Sequence, residues 1–205
     1  MLLPAGMCRE RTQVRWAAPS NSKGDLQYMK PERLSRKTVY QSSWVNLYLD
    51  TVKFPNGLVI ENFHLLDFPR ASAAAIVEND LGNIIFVHIC RYTTGLTEWE
   101  LPAGTIEIGE SEIEAAKREV LEETGFTTEG HKLIYSYHPM NANKVFHVVH
   151  CKTIEHVQDF DKGEVSGTRW FTKDEVKRMI KVKAITDGFS LTALLLWLQD
   201  ESCVP

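Results

Sequence analysis

The stretch from Leu101 to Phe126, LPAGTIEIGESEIEAAKREVLEETGF, sets seven glutamates against one lysine and one arginine. Like charges gathered this closely repel one another unless exposure, salt or a cation relieves them. The local pattern is a strand end, a Pro-Gly loop and a helix. Ser111 followed by Glu114 is a capping box that starts the helix, and Gly125 is the glycine expected just past its end. On a helix from Ser111 to Thr124, Ile113, Ala116, Val120 and Thr124 share one face. Glu119, Glu122 and Glu123, spaced i, i+3, i+4, share another, with neighbouring Cβ atoms about 5–6 Å apart. Such a face has a bland explanation, a solvated acidic surface. The ELPAG lead-in supports a second: a tight loop brings backbone carbonyls beside the carboxylates. Carboxylates, a carbonyl and water are the hard oxygen donors that magnesium or manganese takes, with waters kept for a phosphate-bearing ligand.

Upstream, KTVYQSSWVNLYLDTVKF and LVIENFHLLDF flank Pro55-Asn56-Gly57, a hairpin signal in which Asn-Gly supplies the positive-φ residues. SAAAIVEN and IIFVHICRY flank a second turn containing Gly82-Asn83, and TEWELPAG reads as a strand running into the acidic segment. Downstream, strands are expected near 132–138 and 144–152, then a polar loop at 155–163 and a short strand in EVSGTRWF. Thr172 with Glu175 opens a helix over TKDEVKRMI, and a last helix runs from Ser190 to Asp200 through LTALLLWL. Hairpins and helices in this order, without regular βαβ alternation, predict an α/β fold with a mixed sheet packed between helices.

Composition narrows the function. With 205 residues, 43% hydrophobic and 24% charged, the chain suits one soluble globular domain. A net charge of −4 argues against a general binder of nucleic acid or anionic membrane, which would need a clustered basic surface. Cys8, Cys90, Cys151 and Cys203 form no CxxC pair, which fits reduced thiols in a cytoplasmic protein. No apolar run reaches the length of a membrane span. The first thirty residues carry Arg9, Arg11, Arg15 and Lys23 without an apolar core and do not form a standard secretory signal. Residues 1–36 are expected to be a flexible extension, and 37–205 the folded domain.

The spacing within the acidic segment is specific. Gly104, five residues, Glu110, seven residues, Arg118-Glu119-Val120, one residue, Glu122-Glu123, one residue, Gly125-Phe126: this resembles a complete Nudix box, Gx5Ex7REUxEExGU, with no position departing. The resemblance implies an α/β/α sandwich with a mixed central sheet, preceded by N-terminal antiparallel strands. It implies an enzyme that cleaves a nucleoside diphosphate linked to another moiety, with Mg²⁺, or Mn²⁺ in its place, as cofactor. Matched residue by residue, Glu119 and Glu123 take the metal-ligand positions, the Ala103 carbonyl the backbone ligand position, and Glu122 that of an additional ligand. Glu110 belongs to the motif as an outer ligand or structural partner. Arg118 would orient the glutamates through charged hydrogen bonds. Glu107, Glu112 and Glu114 fall outside the box.

The reaction needs a water aligned for attack on phosphorus, a stabilised leaving phosphate and a general base. In the ADP-ribose branch of the family that base is often a glutamate on a mobile loop, in a segment resembling E-x5-W. Here Glu164 stands six residues before Trp170, flanked by Gly163 and Gly167. The competing readings are a surface acid, or a base supplied by the box itself.

The likeness to ADP-ribose and nucleotide-sugar pyrophosphatases extends from about Lys37 to Trp197. VYQSSWVNLYLDTVKFPNG is similar to N-terminal strands that those enzymes commonly exchange in a homodimer, so 37–68 is the expected dimerisation region. Arg91 matches an arginine contacting the diphosphate or terminal sugar; the bland reading is an edge-strand arginine in solvent. Ile89-Cys90-Arg91 and His138-Pro139-Met140 depart from that branch's usual sequences and leave the sugar open. Trp44, Tyr48, Phe68 and Tyr92 are candidate stacking partners for a base, though each also suits a core. His138, His147 and His150 read as strand residues.

The implied activity is hydrolysis of ADP-ribose or a related nucleoside diphosphate sugar to a nucleoside monophosphate and a sugar phosphate. Alternatives are another Nudix substrate, such as a dinucleoside polyphosphate, NADH, a nucleoside triphosphate or capped RNA, or a non-catalytic nucleotide-sugar sensor. The expected partner is the small-molecule substrate, with neither nucleic acid nor membrane.

Overall fold

The structure, a computed structural model, describes residues 30–139 and 141–200. The basic tract before Lys30, Met140, Cys8 and Cys203 lie outside the described residues. In chain order the elements are β1 (Glu32–Tyr40), β2 (Asn46–Lys53), β3 (Val59–Asp67), β4 (Ser72–Glu78), β5 (Ile84–Cys90), β6 (Thr97–Glu100) and β7 (Ala103–Thr105). Then come α1 (Glu112–Thr124), β8 (Phe126–Tyr137), β9 (Phe146–His156), β10 (Val165–Phe171), α2 (Lys173–Lys181) and α3 (Gly188–Asp200).

The central strand β4, SAAAIVE, is buried almost end to end, as a continuous apolar run between two layers should be. Its side chains alternate between two cores. Ala73, Ala75 and Val77 join Ala116, Val120 and Val149 beneath α1. Ile76 joins Phe86, Leu101, Val148, Leu194 and Trp197 on the α2 and α3 side. The result is the expected α/β/α sandwich. Its seven-stranded sheet has the order β10-β5-β4-β9-β8, with β6 on β5 and β7 on β4. The sheet is mixed: β4 and β9 run parallel and the other pairs antiparallel.

The second predicted hairpin forms only at its tip. The Asn79 N–H donates to the Asn83 carbonyl at 3.0 Å, but the β4–β5 ladder holds a single pair, Glu78 with Ile84. Beyond it the two strands separate, and the chain from β6 to β7 fills the opening. β6 pairs with β5 and β7 with β4, while the Pro102 carbonyl accepts the Ala75 N–H at 2.9 Å. The buried backbone of β4 is thus satisfied by the ELPAG segment rather than by its sequence neighbour. This wedge sets Ala103 and Gly104 at the heart of the sheet.

The first hairpin forms, with the Phe54 N–H donating to the Leu58 carbonyl at 2.7 Å, but of the Asn-Gly pair only Gly57 takes a positive φ, at 84°. Strands β1 to β3 make a separate antiparallel sheet, in which β1 starts at Glu32, earlier than expected, and is exposed along its whole length. No helix among the described residues is long and apolar enough to cross a membrane.

Candidate active site

Helix α1 is fixed at both ends. The Ser111 Oγ accepts from the Glu114 N–H at 3.3 Å, and the Glu114 Oε2 accepts from the Ser111 N–H at 2.7 Å, closing the capping box. Gly125 turns the chain out of the helix at φ 75°, where a Cβ would lie 1.9 Å from the Gln158 carbonyl oxygen. The apolar side docks on β4 and β9 through Ala116 and Val120, and this docking aims the acidic side inward.

The acidic face is therefore not a solvated one. Glu119 and Glu123 are 8% and 4% exposed, whereas Glu122 is open to solvent. Arg118 binds the set together. Its Nε and Nη2 hold the two oxygens of Glu110 at 2.9 and 3.0 Å. Its Nη1 donates to Glu119 at 2.7 Å and to Glu122 at 3.2 Å, and its Nη2 also reaches the Thr105 carbonyl at 3.0 Å. One guanidinium thus ties three glutamates to the β7 loop, using the multidentate fork that lysine lacks. Glu123 turns the other way, its Oε2 accepting the Ala103 N–H at 3.0 Å. Gly104 is required by close approach: a Cβ there would lie 1.8 Å from the Glu119 Oε1.

These contacts split the acids electrostatically. The Arg118 guanidinium holds Glu110 below the usual carboxylate range. Burial pushes Glu119 up, against the opposing hydrogen bond from Arg118. Burial pushes Glu123 to about 8, the Ala103 N–H opposing and the Glu119 charge adding to the rise. The two buried acids sit where a negative charge is costly, the reverse of a relaxed surface cluster. Among the described residues no three acid, histidine or cysteine side chains converge tightly enough to enclose an ion by themselves. The donor set is all oxygen, and among the described residues Glu123 meets no cation directly. That chemistry fits a cation such as Mg²⁺, which completes its shell with backbone carbonyls and water.

The acids border a cleft of about 550 Å³ that also takes in Ala103, Arg91 and Glu164. Arg91 follows directly after β5 and is partly exposed, but its guanidinium is held by a buried acid. Its Nε and Nη2 lie 2.9 and 2.5 Å from the two oxygens of Glu100, whose side chain is buried. In sequence Glu100 is only one residue of a strand; its signal is an acid in a strand that pairs beside an arginine. Glu164 is exposed at the cleft edge, near enough for its charge to raise both Glu119 and Glu123. Its loop is docked on the end of α1, where the Asp161 N–H donates to the Glu122 carbonyl at 2.8 Å and the Gln158 Nε2 to the Leu121 carbonyl at 3.3 Å. Gly167 lies in β10, the strand expected over EVSGTRWF, at a bulge opposite His88, so of the two flanking glycines only Gly163 belongs to the loop.

Of the aromatic candidates, Trp44 and Tyr92 line the cleft and Phe68 an adjoining cavity, while Tyr48 lies under the Arg36 guanidinium in the N-terminal sheet. His147 and His150 lie in β9, bonded to Ser136 and Glu78, and His138 meets the Lys144 carbonyl. Arg70, to which the sequence reading gave no role, also borders the cleft.

The NUDIX domain model matches residues 68–189, which run from the connection before β4 to the first turn of α3 and hold the whole cleft apart from Trp44. An ADP-ribose pyrophosphatase from Bacillus subtilis is 25% identical over 174 residues, covering 82% of this chain and 93% of the relative. A CMP-5'-(N-acetyl-N-hydroxy-3-aminopropyl)phosphonate hydrolase from Streptomyces rubellomurinus is 26% identical over 164 residues, covering 77% of this chain and 78% of the relative. The crystal structure of an ADP compounds hydrolase shares the fold, with a TM-score of 0.73 at 21% identity, over 86% of this chain and 98% of that one. The match spans more than half of the chain and includes the capped helix, the Gly104 loop and the buried glutamate pair, so the protein belongs to the NUDIX domain family and is a Nudix hydrolase.

Proposed function

We propose that this hydrolase cleaves the diphosphate linkage of ADP-ribose or a related nucleoside diphosphate sugar, with Mg²⁺, releasing a nucleoside monophosphate and a sugar phosphate. The observation that carries the reading is the buried pair Glu119 and Glu123, held against the Ala103–Gly104 backbone at the floor of an open cleft. The similarity to an ADP-ribose pyrophosphatase supports the substrate class.

Glu119, Glu123 and the Ala103 carbonyl would hold the cation, with Glu122 as a further oxygen donor from the solvent side. Bound there, Mg²⁺ neutralises phosphate charge and favours an attacking water. Arg118 keeps the carboxylates in register through its five contacts. Arg91, braced by Glu100, presents its remaining N–H donors and its charge to the diphosphate. Glu164, across the cleft from the buried pair, accepts the proton of the attacking water. The N-terminal sheet supports a homodimer: β1 is exposed throughout, and Leu34, Val39 and Leu58 are about half exposed, so a second copy would cover apolar surface that this chain leaves open.

Product chromatography tests the reading, with ADP-ribose, other nucleoside diphosphate sugars, NADH, dinucleoside polyphosphates and nucleoside triphosphates in Mg²⁺ or Mn²⁺. The expected result is AMP and ribose 5-phosphate from ADP-ribose, lost in EDTA. Turnover confined to triphosphates or dinucleoside polyphosphates would overturn it.

A further inference from the structure

The cleft opens into a second cavity of about 400 Å³, and Trp44, Arg70 and Thr105 line both. Its walls are largely apolar, through Val45, Phe68, Pro139 and Phe189, but two cations, Arg70 and Lys144, also line it. The Arg70 guanidinium lies 4.5 Å from the centre of the Trp44 ring. The Lys144 Nζ donates to the Arg70 carbonyl at 2.9 Å and to the Ser72 Oγ at 2.7 Å, and lies 5.6 Å from the centre of the Phe68 ring.

These cations are treated differently from the other arginines near them. Arg36 is paired with Asp50, Arg91 with Glu100, and Arg118 with Glu110, Glu119 and Glu122. Among the described residues neither Arg70 nor Lys144 meets a carboxylate. Both are half-buried, and burial together with the Arg70 charge pulls the Lys144 ammonium below its ordinary range. Two acceptors satisfy two of the three ammonium protons, and both are neutral. A guanidinium stacked on an indole keeps its in-plane N–H edge free for a bidentate acceptor. Two like charges beside an apolar wall, each with donors to spare, form a site that an anion would complete.

We propose that this second cavity is an anion subsite that recognises a phosphate or carboxylate carried by the substrate in addition to the linkage that is cleaved. The inference rests on the reading of the neighbouring cleft as a diphosphate site, and among nucleoside diphosphate derivatives it gives a preference to those bearing a further negative group. That group is either a phosphate on the nucleoside ribose or a carboxylate on the sugar. Arg70 supplies the bidentate edge and Lys144 the point charge, while Phe68 and Phe189 exclude water around them.

Equilibrium dialysis in EDTA, where metal-dependent turnover does not consume the ligand, tests this with two matched pairs: ADP-ribose against its 2′-phosphate, and UDP-glucose against UDP-glucuronate. The expected result is that the charged member of at least one pair binds about tenfold tighter, and that Arg70→Gln and Lys144→Met each bring that ratio towards one. Preference within the first pair identifies phosphate as the ligand, and within the second carboxylate. A ratio of one in both pairs, or a ratio untouched by both substitutions, overturns the proposal. Lys144 also anchors the start of β4, so Arg70→Gln decides the matter if Lys144→Met fails to fold. Failure of the product screen with every nucleotide would reject the hydrolytic reading, whereas the dialysis ratios still decide the subsite.

Discussion

Two regions of the molecule bury carboxylates and treat them in opposite ways. In the N-terminal sheet Asp50 is 4% exposed, and Arg36 on the facing strand completes it with two hydrogen bonds of 2.8 and 2.7 Å. That pairing holds Asp50 below its ordinary range. In the cradle of α1, Glu123 is equally buried but receives one backbone N–H, and burial lifts it to about 8. The first acid is finished within the chain and serves the fold. The second is left short of positive charge in a cleft, which is the condition of a group that binds something else. The difference lies in what each carboxylate faces, not in how deeply it is buried.

The largest expected effect falls on the unfinished acid. If Glu123 holds Mg²⁺ as proposed, Glu123→Gln, which removes its charge at constant volume, should lower Mg²⁺-dependent kcat/KM by about 10³ or more, with the fold intact by circular dichroism. Next comes Glu164→Gln, for which kcat should drop about 100-fold while the Mg²⁺ concentration at half-maximal rate stays put; an unchanged kcat would assign the base to the box. On the finished side, Arg36→Met strands Asp50. We expect a loss of about 1–3 kcal/mol in denaturant unfolding, because Arg36 is partly solvated, with little change in kcat per folded molecule.

The two acids also predict opposite pH responses for the metal-free protein. Glu123 has an ordinary value of 4.5 and stands at about 8 when folded. Between those limits the folded chain holds a proton that the unfolded chain has released, so stability falls as pH rises through that window. Asp50, lowered by Arg36, contributes stability that is present above its ordinary 3.8 and is lost as pH falls through its folded value. Urea unfolding in EDTA should therefore show a decline from about pH 4.5 to 8 that Glu123→Gln flattens and Arg36→Met does not. The smallest effect is a control on burial itself. Cys151, pushed to about 12 by its apolar surroundings, should stay unmodified by a thiol reagent that labels the exposed Cys90.

The parts of this picture legible in sequence were the local ones. The capping box of Ser111 and Glu114, the stop at Gly125, the Pro55-Asn56-Gly57 turn and the two faces of α1 all depend on residues within a few positions of one another. The box also placed Gly104, Glu123 and the three acids around Arg118, because their spacing is a single loop and helix. What escaped was set by pairing at a distance. That β4 leaves β5 for β7 depends on a segment more than twenty residues away, and neither SAAAIVEN nor IIFVHICRY carries that information. The Glu100 brace behind Arg91 needed the β5–β6 register, and the meeting of Arg70 with Lys144 spans 74 residues. The cations that shape the second cavity were invisible for that reason.

The central claim is that the buried glutamates of α1 form a cradle for a divalent cation, and thermal unfolding with and without Mg²⁺ tests it most directly. At a Mg²⁺ concentration about 100 times the dissociation constant, the wild-type protein should gain about 2.7 kcal/mol, seen as a rise in Tm of several degrees. Glu123→Gln should lose most of that rise. A Tm indifferent to Mg²⁺ in the wild-type protein, or a rise of the same size in the variant, would contradict the account.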